Sequence, residues 1–201
     1  MSKKLYCYTS SSKKIILASL SPQRISLLKQ WGMSFQVVPS GVDENTDLIK
    51  PSYLVKELAY RKGCCVAKQY PGSLVLSADT IVVLNGRIIG KPANKKESEK
   101  TLKELNGSKH KVYTGVAIIE NDKKSVFYDV ACIKMRKLPE DELKGFFGKN
   151  MDKACSYAIQ NTNDKFVEKI YGDYYTVVGL PYVKLAAELR RFKINLTNQF
   201  N

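Results

Sequence analysis

The sequence predicts a mixed α/β fold, in which one β-sheet with parallel and antiparallel strands packs against several helices. Helical and strand-like segments alternate along the chain, which favours a sheet covered by helices. Two-residue turn signals at Asn85-Gly86 and Asn121-Asp122 join neighbouring strands, which argues against a purely parallel sheet. A hydrophobic fraction of 44% in 201 residues is ordinary for a packed globular protein.

The N-terminal half begins with a strand, a helix and a second strand. Residues 15–18 form an apolar run that predicts a buried strand, and Ser21-Pro22 is a typical helix start. Gly32 is expected to end this helix. The other predicted elements of this half are a strand over 35–38, a polar loop over 39–50, a helix over 51–70 and a hairpin of strands 74–84 and 87–90.

The C-terminal half is predicted to extend the same sheet. Its elements are a helix over 94–105, strands over 111–120 and 123–135, a helix over 139–147, strands over 166–170 and 174–178 around Gly172-Asp173, and a helix over 181–192. No internal repeat or long linker is present. We therefore expect one domain over residues 15–192, between a polar extension over 1–14 and a polar tail over 193–201.

Composition limits the classes of partner. Lys and Arg number 33 against 19 Asp and Glu, so the formal net charge is +14. This charge attracts nucleic acid, anionic lipid or phosphate-bearing small molecules, although scattered lysines equally fit a solvated surface. An odd number of cysteines, five, and a single histidine disfavour a disulfide framework and a zinc site. No stretch reaches the length of a membrane span, so we expect a cytoplasmic protein without membrane association.

The junction from Ser19 to Arg24 is the first candidate binding site. The start of a helix presents unpaired N–H groups and a partial positive charge. The hydroxyls of Ser19 and Ser21, with Arg24 in the first turn, would complete a cradle for an anion. The alternative is a capped helix with a surface arginine, and the junction taken alone favours this simpler interpretation.

Asp79 is the second candidate, because a carboxylate in an apolar strand must be solvated, paired or metal-bound. The alternative is a solvent-exposed residue at the strand entry. Lys62 follows Leu58 by four residues, so its side chain either snorkels to solvent or points into a cleft. An ideal hairpin places Lys91 opposite Thr80 and Asp79 on the other face, although a bulge or the long lysine stem could bring Lys91 to Asp79.

Three further polar residues give weaker signals. Glu44 lies in an acidic loop, where a carboxylate is usually solvated. His110 follows a glycine turn, and we expect a structural hydrogen bond there rather than catalysis. Gln160 carries an amide that suits either recognition of a base edge or an ordinary loop hydrogen bond.

These segments occur in an order that resembles the Maf family of nucleoside triphosphate pyrophosphatases, from about residue 15 to residue 189. The motifs that carry the resemblance are LASLSPQR, VDE, SADTIVVLNGRIIGKP, LNGSKHKVYTGVAI, DKACSYAIQ and VVGLP. Because they cover nearly the whole chain in a fixed order, they are more specific together than any one alone.

The resemblance implies hydrolysis of the α–β phosphoanhydride of a nucleoside triphosphate, giving a nucleoside monophosphate and pyrophosphate. It also implies an inosine-triphosphatase-like fold, with an elongated sheet, a central cleft and two lobes. Asp79 would be the proton acceptor, and Asp79 with Glu44 would hold a divalent cation, with Mg²⁺ expected and Mn²⁺ or Co²⁺ as alternatives. The triphosphate would be bound by Ser19, Ser21, Arg24, Lys62 and Lys91, and base preference would depend on Gln23, Thr80 and Gln160.

The Asp79-Thr80 and Ile159-Gln160 pairs resemble the subfamily that acts on dTTP and UTP. For the physiological role, the resemblance implies either house-cleaning of noncanonical nucleotides or a link to division arrest. Two departures leave the preferred base open. Gln23 replaces the first arginine of the family's doublet, and residues 161–163 replace a usual G-x-G. We expect no stable nucleic-acid partner, and a homodimer is left open. The alternatives are a catalytically weak nucleotide sensor and a basic nucleic-acid-binding module, and the latter does not explain Asp79 or Glu44.

Overall fold

A computed structural model describes residues 13–149 and 166–196 of the chain. Within these residues the fold is a seven-stranded sheet in the order β2-β1-β3-β5-β6-β7, with β4 paired to β3. The strands are β1 (Ile15–Leu17), β2 (Gln36–Val37), β3 (Leu74–Leu84), β4 (Arg87–Ile89), β5 (Lys109–Glu120), β6 (Lys123–Met135) and β7 (Val167–Tyr171). The helices are α1 (Pro22–Gln30), α2 (Pro51–Ala67), α3 (Lys95–Leu105), α4 (Glu140–Lys144), α5 (Tyr174–Val178) and α6 (Tyr182–Arg191).

The sheet is mixed, as the sequence predicts. Strand β1 pairs in parallel with β2 and β3. The other pairs, β3 with β4 and β5, β5 with β6, and β6 with β7, are antiparallel. The predicted α/β fold with helices against a mixed sheet is therefore confirmed, whereas the central cleft, the two lobes and the domain boundaries stay predictions. None of the described helices is both long and apolar enough to cross a membrane.

The predicted turns between the long strands are confirmed. Asn85 and Gly86 have φ angles of 49° and 79°, and Leu84 pairs with Arg87 across the turn. Positive φ at both central positions is the signature of the tight hairpin turn that Asn-Gly favours. Asn121 has a φ of 52° at the start of the turn between β5 and β6.

The prediction of a strand over 174–178 is wrong, because these residues form helix α5. Asp173 caps the helix by accepting a hydrogen bond from the Tyr175 N–H, and Gly179 ends it with a φ of +117°. The aromatic and β-branched residues between them favour a strand in isolation, but the two caps and the packing override that preference. Helix α4 is also shorter than predicted and ends at Lys144.

The core is divided along two neighbouring long strands, β3 and β5. Leu76, Ala78 and Val116 belong to an apolar cluster shared with α1 and α6. A second cluster, shared with α3, contains Val82 and Val112. The alternating pattern of both strands places polar residues between the clusters, and these include Thr80 on β3 and Thr114 on β5, which are direct partners in the ladder.

Two glycines allow α2 to lie directly on the sheet. A Cβ atom at Gly115 would lie 2.1 Å from the Val55 carbonyl oxygen, and one at Gly63 would lie 2.6 Å from the Ser77 hydroxyl. Gly115 is the ladder partner of Asp79, and Gly63 follows Lys62. The close approach therefore brings the Lys62 turn of α2 over Asp79.

Candidate functional site

A cluster of three charged side chains is centred on Lys62. Its Nζ atom lies 2.7 Å from Asp79 Oδ1 on β3 and 2.9 Å from Glu44 Oε1 in the loop before α2. The Lys62 and Asp79 side chains are only 12% and 10% exposed, whereas Glu44 is 60% exposed. Lys62 therefore points onto the sheet instead of snorkelling to solvent, and one cation joins a buried carboxylate to an accessible one.

Asp79 is not the exposed strand-entry residue that its alternative interpretation required. It lies in the middle of β3 and is buried. An unpaired charge at this depth would be costly, and the Lys62 ammonium supplies the compensation. Because two carboxylates share one ammonium, these three side chains together carry a formal charge of −1.

The start of α1 is built from the two serines that the sequence singles out. Ser21 is the N-cap, and its hydroxyl oxygen lies 3.5 Å from the Arg24 N–H. That hydroxyl donates to Gln23 Oε1 at 3.0 Å. The Ser19 hydroxyl oxygen accepts from the Ser21 N–H at 3.3 Å. Both hydroxyls and the Gln23 amide are thus oriented by the junction itself.

Arg24 is bonded to three parts of the fold instead of extending to solvent. Its Nε donates to the Gly179 carbonyl oxygen at 3.1 Å, and Nη1 donates to Ser19 Oγ at 3.1 Å and to the Ala78 carbonyl oxygen at 2.9 Å. Nη2 donates to Thr80 Oγ1 at 2.9 Å. Strand β1 ends before it can pair with Ala78, so the guanidinium occupies the place of a strand at this point of β3.

The charge of Arg24 is coupled to the carboxylate cluster across β3. Burial lowers the pKa of the guanidinium from its ordinary value, while the negative charges of Asp79 and Glu44 raise it. A guanidinium stays protonated under these opposing influences. Arg24 therefore presents a fixed positive charge beside a strand whose opposite face carries Asp79.

From the Thr80 hydroxyl, a series of hydrogen bonds continues into the protein interior. It lies 2.9 Å from Thr114 Oγ1, which donates to the Thr176 carbonyl oxygen at 2.7 Å. The Thr176 hydroxyl donates to Asp129 Oδ2 at 2.5 Å, and Asp129 forms an ion pair with Lys184 at 2.6 Å. Sequence reasoning missed Thr114 and Asp129, although polar residues at inward positions of long strands were an available signal.

The other predicted site residues are not all brought together. Lys91 is exposed, two residues beyond β4, and it is outside the Lys62 cluster in the described part of the chain. The register that places Leu84 opposite Arg87 is present, but the ladder ends at Ile89 before Thr80 and Lys91 can pair. Gln160 and residues 161–163 lie outside the described residues.

His110 is separate from this cluster and lies on β5, opposite Ile133. It is buried, and burial lowers its pKa to about 4. Over residues 13–149 and 166–196, no group of three or more His, Cys, Asp or Glu side chains is placed to hold a metal ion. Asp79 and Glu44 both approach the Lys62 ammonium, so they supply two carboxylates to one site.

Comparison with known proteins identifies the lineage of this arrangement. The family model described as Maf-like protein matches residues 14–192. A dTTP/UTP pyrophosphatase from Bacillus cereus is 44% identical over 189 residues, which cover 92% of this chain and 93% of the relative. A dTTP/UTP pyrophosphatase from Elusimicrobium minutum is 46% identical over 170 residues, covering 84% and 92% of the two chains.

Among solved structures, the Ham1 protein of Staphylococcus aureus resembles this chain with a TM-score of 0.45 and 19% identity. The matched region covers 61% of this chain and 72% of that protein. A nucleoside-triphosphatase, or dITP/XTP pyrophosphatase, from Mycobacterium abscessus gives a TM-score of 0.40 at 15% identity, covering 63% and 76% of the two chains.

Proposed function

The chain belongs to the Maf family, and from that premise we propose that it is a nucleoside triphosphate pyrophosphatase that acts on dTTP and UTP or on modified pyrimidine nucleotides. It would cleave the α–β phosphoanhydride and release a nucleoside monophosphate and pyrophosphate. Relatives named dTTP/UTP pyrophosphatases that are 44% and 46% identical over most of the chain support this substrate class.

One observation in the candidate site supports this proposal. A buried aspartate, paired with a lysine, lies on the same strand segment as the anchoring points of an arginine at a helix start. The acid and the cationic groups are thus adjacent on one rigid strand. A polyphosphate bound at the start of α1 would meet Arg24 and the helix dipole, with the Asp79 cluster across β3.

In the proposed reaction, a water oxygen attacks the α-phosphorus and the bond from that phosphorus to the α–β bridging oxygen breaks. Asp79 accepts a proton from the attacking water. The electron pair of the broken bond leaves with pyrophosphate, whose charge is stabilised by Arg24, Lys62 and the N-terminus of α1, and by Lys91 if its segment approaches the ligand. The hydroxyls of Ser19 and Ser21 would orient the phosphates.

A divalent cation fits this site, because carboxylate oxygens are hard ligands and two carboxylates approach the same ammonium. Asp79 and Glu44 would hold it, with Mg²⁺ expected and Mn²⁺ or Co²⁺ as alternatives. When bound, such an ion would neutralise phosphate charge during cleavage. Gln23, Thr80 and Gln160 stay the residues proposed for base preference. We also propose a cytoplasmic location and no stable nucleic-acid partner, and a homodimer stays an open alternative.

A pyrophosphate-release assay over a panel of purine and pyrimidine triphosphates tests the function. Each nucleotide is assayed with and without Mg²⁺, Mn²⁺ or Co²⁺. We expect release that depends on the metal ion and is fastest with dTTP, UTP or a modified pyrimidine nucleotide. Nucleotide binding without release would identify a sensor and refute catalysis. Tight, salt-dependent nucleic-acid binding without release would identify the basic binding module.

Lys91 provides a separate test of the proposed phosphate contacts. Lys91→Ala should raise the KM or strongly slow turnover if the exposed side chain moves to the substrate. Lys100→Ala, at an exposed position of α3, is a matched control for removal of one positive charge. Kinetic constants for Lys91→Ala equal to those of the wild type would remove Lys91 from the site.

A further inference from the structure

The buried Thr114 on β5 connects to the candidate site without being part of any role proposed above. We propose that Thr114 is a positioning residue, which fixes the Arg24 guanidinium by ordering a one-directional chain of hydroxyl hydrogen bonds. This inference rests on the proposed function, because Arg24 is a proposed phosphate-binding residue. It adds a residue of β5 to the proposed site.

The direction of the chain follows from the acceptor at its inner end. A carbonyl oxygen can accept but cannot donate, so the single hydroxyl hydrogen of Thr114 is used by the Thr176 carbonyl oxygen. The hydrogen between the two threonines must then come from Thr80. At its outer end, Thr80 accepts from Arg24 Nη2. In the order Arg24, Thr80, Thr114, Thr176, the hydroxyl hydrogens of Thr80 and Thr114 each have one acceptor.

The same order determines what Thr80 offers to a ligand. Its hydroxyl hydrogen is used by Thr114, so Thr80 meets Arg24 as an acceptor. Replacing the Thr114 hydroxyl with an apolar group would free that hydrogen to rotate. The Thr80 hydroxyl hydrogen could then turn towards Arg24 Nη2, so that two donors would face each other. The guanidinium would lose Thr80 Oγ1 as a fixed acceptor.

The inner end of the chain is itself held in place. Thr176 lies in α5, is fully buried, and bonds through its hydroxyl to Asp129, which pairs with Lys184. Arg24 contacts the end of the same helix through the Gly179 carbonyl oxygen. A Cβ atom at Gly179 would lie 3.2 Å from Arg24 Nε and 3.3 Å from Thr80 Oγ1. The guanidinium is therefore fixed between α5 and β3. Thr114 links the same two elements through its hydrogen bonds to Thr80 and to the Thr176 carbonyl oxygen.

The test compares Thr114→Val with Thr114→Ser. Valine keeps the size of the side chain but removes the hydroxyl, whereas serine keeps the hydroxyl. We expect Thr114→Val to lower kcat/KM about tenfold and to weaken inorganic pyrophosphate binding by a similar factor, because misplacing one binding group reduces both. Thr114→Ser should restore both quantities to within about twofold of the wild type.

A spectroscopic measurement reports on Arg24 without requiring activity. The Arg24 Nε–H resonance in a ¹H–¹⁵N spectrum is assigned by its loss in Arg24→Lys. We expect it to shift or broaden in Thr114→Val and to stay at its wild-type position in Thr114→Ser. Ser125→Ala is the control, because Ser125 is also buried in the sheet and donates to Glu188 at 2.6 Å, away from this chain of threonines. The control should lose thermal stability without moving the resonance.

The outcomes separate the two proposals. If the wild type releases no pyrophosphate, the proposed function fails, and the Arg24 resonance alone then decides the role of Thr114. A folded Thr114→Val with wild-type pyrophosphate affinity and an unmoved resonance overturns the inference, even when the enzyme is active. Thr114→Ala, which cannot overpack the interior, takes the place of Thr114→Val if the valine variant does not fold, and the same results decide.

Discussion

Polar side chains on the two faces of strand β3 are stabilised in opposite ways. The acidic face, which carries Ser77 and Asp79 towards α2, compensates a buried charge with the Lys62 ion pair and opens to solvent through Glu44. The hydroxyl face, which carries Ala78 and Thr80 towards α1 and α5, uses neutral hydroxyls and carbonyl oxygens to hold one guanidinium.

Because of this difference, the two faces suit different parts of the proposed reaction. The acidic face has an accessible carboxylate and a net negative charge, which suit proton transfer and cation binding. The hydroxyl face is closed by a continuous chain of hydrogen bonds, which suits a binding group that keeps its position. Adjacent residues of one strand, Asp79 and Thr80, can therefore be altered separately to test the two faces.

The largest effect is expected from Asp79→Asn, which removes the proposed proton acceptor from the acidic face. Turnover should fall about 10³-fold, within the usual range for loss of a general base. Nucleotide binding should survive, since the hydroxyl face is untouched. Steady-state kinetics and calorimetric titration with a nucleotide check this prediction. The neighbouring Thr80→Val is the comparison and should cost about tenfold. Full turnover in Asp79→Asn would remove Asp79 from the reaction.

Sequence reasoning singled out Asp79 and Lys62 separately, because a carboxylate in an apolar strand and a lysine on an apolar helix stripe each conflict with burial, but it looked for the partner of Asp79 in Lys91 and not in Lys62. It could not give the close approach of α2, which depends on Gly63 and Gly115 being adjacent to Ser77 and Val55 in space. The hydroxyl face was harder to predict, because Thr114 and Thr176 are 62 residues apart and an inward threonine looks like an ordinary strand residue.

The second prediction concerns His110, a buried residue on the same side of the sheet as the hydroxyl face. His110 lies four residues before Thr114 on β5, so it faces the same side of the sheet. Burial lowers its pKa from 6.5 to about 4. The unfolded chain therefore binds more protons than the folded chain between these pH values, and the free energy of unfolding decreases as pH falls through them.

The decrease attributable to His110 should reach about 3 kcal/mol by pH 4. Urea unfolding at pH 7 and pH 4.5 measures it, with His110→Gln as the variant that cannot titrate. The wild type should lose more stability than the variant over this interval, because both share all other titrating groups. An equal loss in the two proteins would show that His110 keeps its ordinary pKa in the folded state.

Gly115→Ala should disturb the acidic face while sparing the hydroxyl face. The new Cβ would meet the Val55 carbonyl oxygen at 2.1 Å, so α2 must move away from the sheet. We expect a loss of about 2 kcal/mol in the free energy of unfolding, typical of overpacking. Chemical denaturation measures this loss, and kcat should also fall as Lys62 is displaced. Gly90→Ala, where a Cβ atom would meet nothing within 4 Å and no positive φ is required, controls for glycine removal. Unchanged stability in Gly115→Ala would mean that α2 does not rest on Gly115.

The smallest effect is expected from Glu44→Gln, because Glu44 is the accessible member of the acidic cluster. Lys62 keeps its pairing with buried Asp79, so folding should change by less than about 1 kcal/mol, as for an exposed ion pair. If Glu44 helps to hold a divalent cation, the Mg²⁺ concentration needed for half-maximal activity should rise about tenfold while kcat at saturating Mg²⁺ changes little. Metal titration of the activity measures this shift, with Asp43→Asn, an exposed loop neighbour, as the control. An unchanged Mg²⁺ requirement would leave Asp79 as the carboxylate of this face that contacts the ion, and would limit Glu44 to its contact with Lys62.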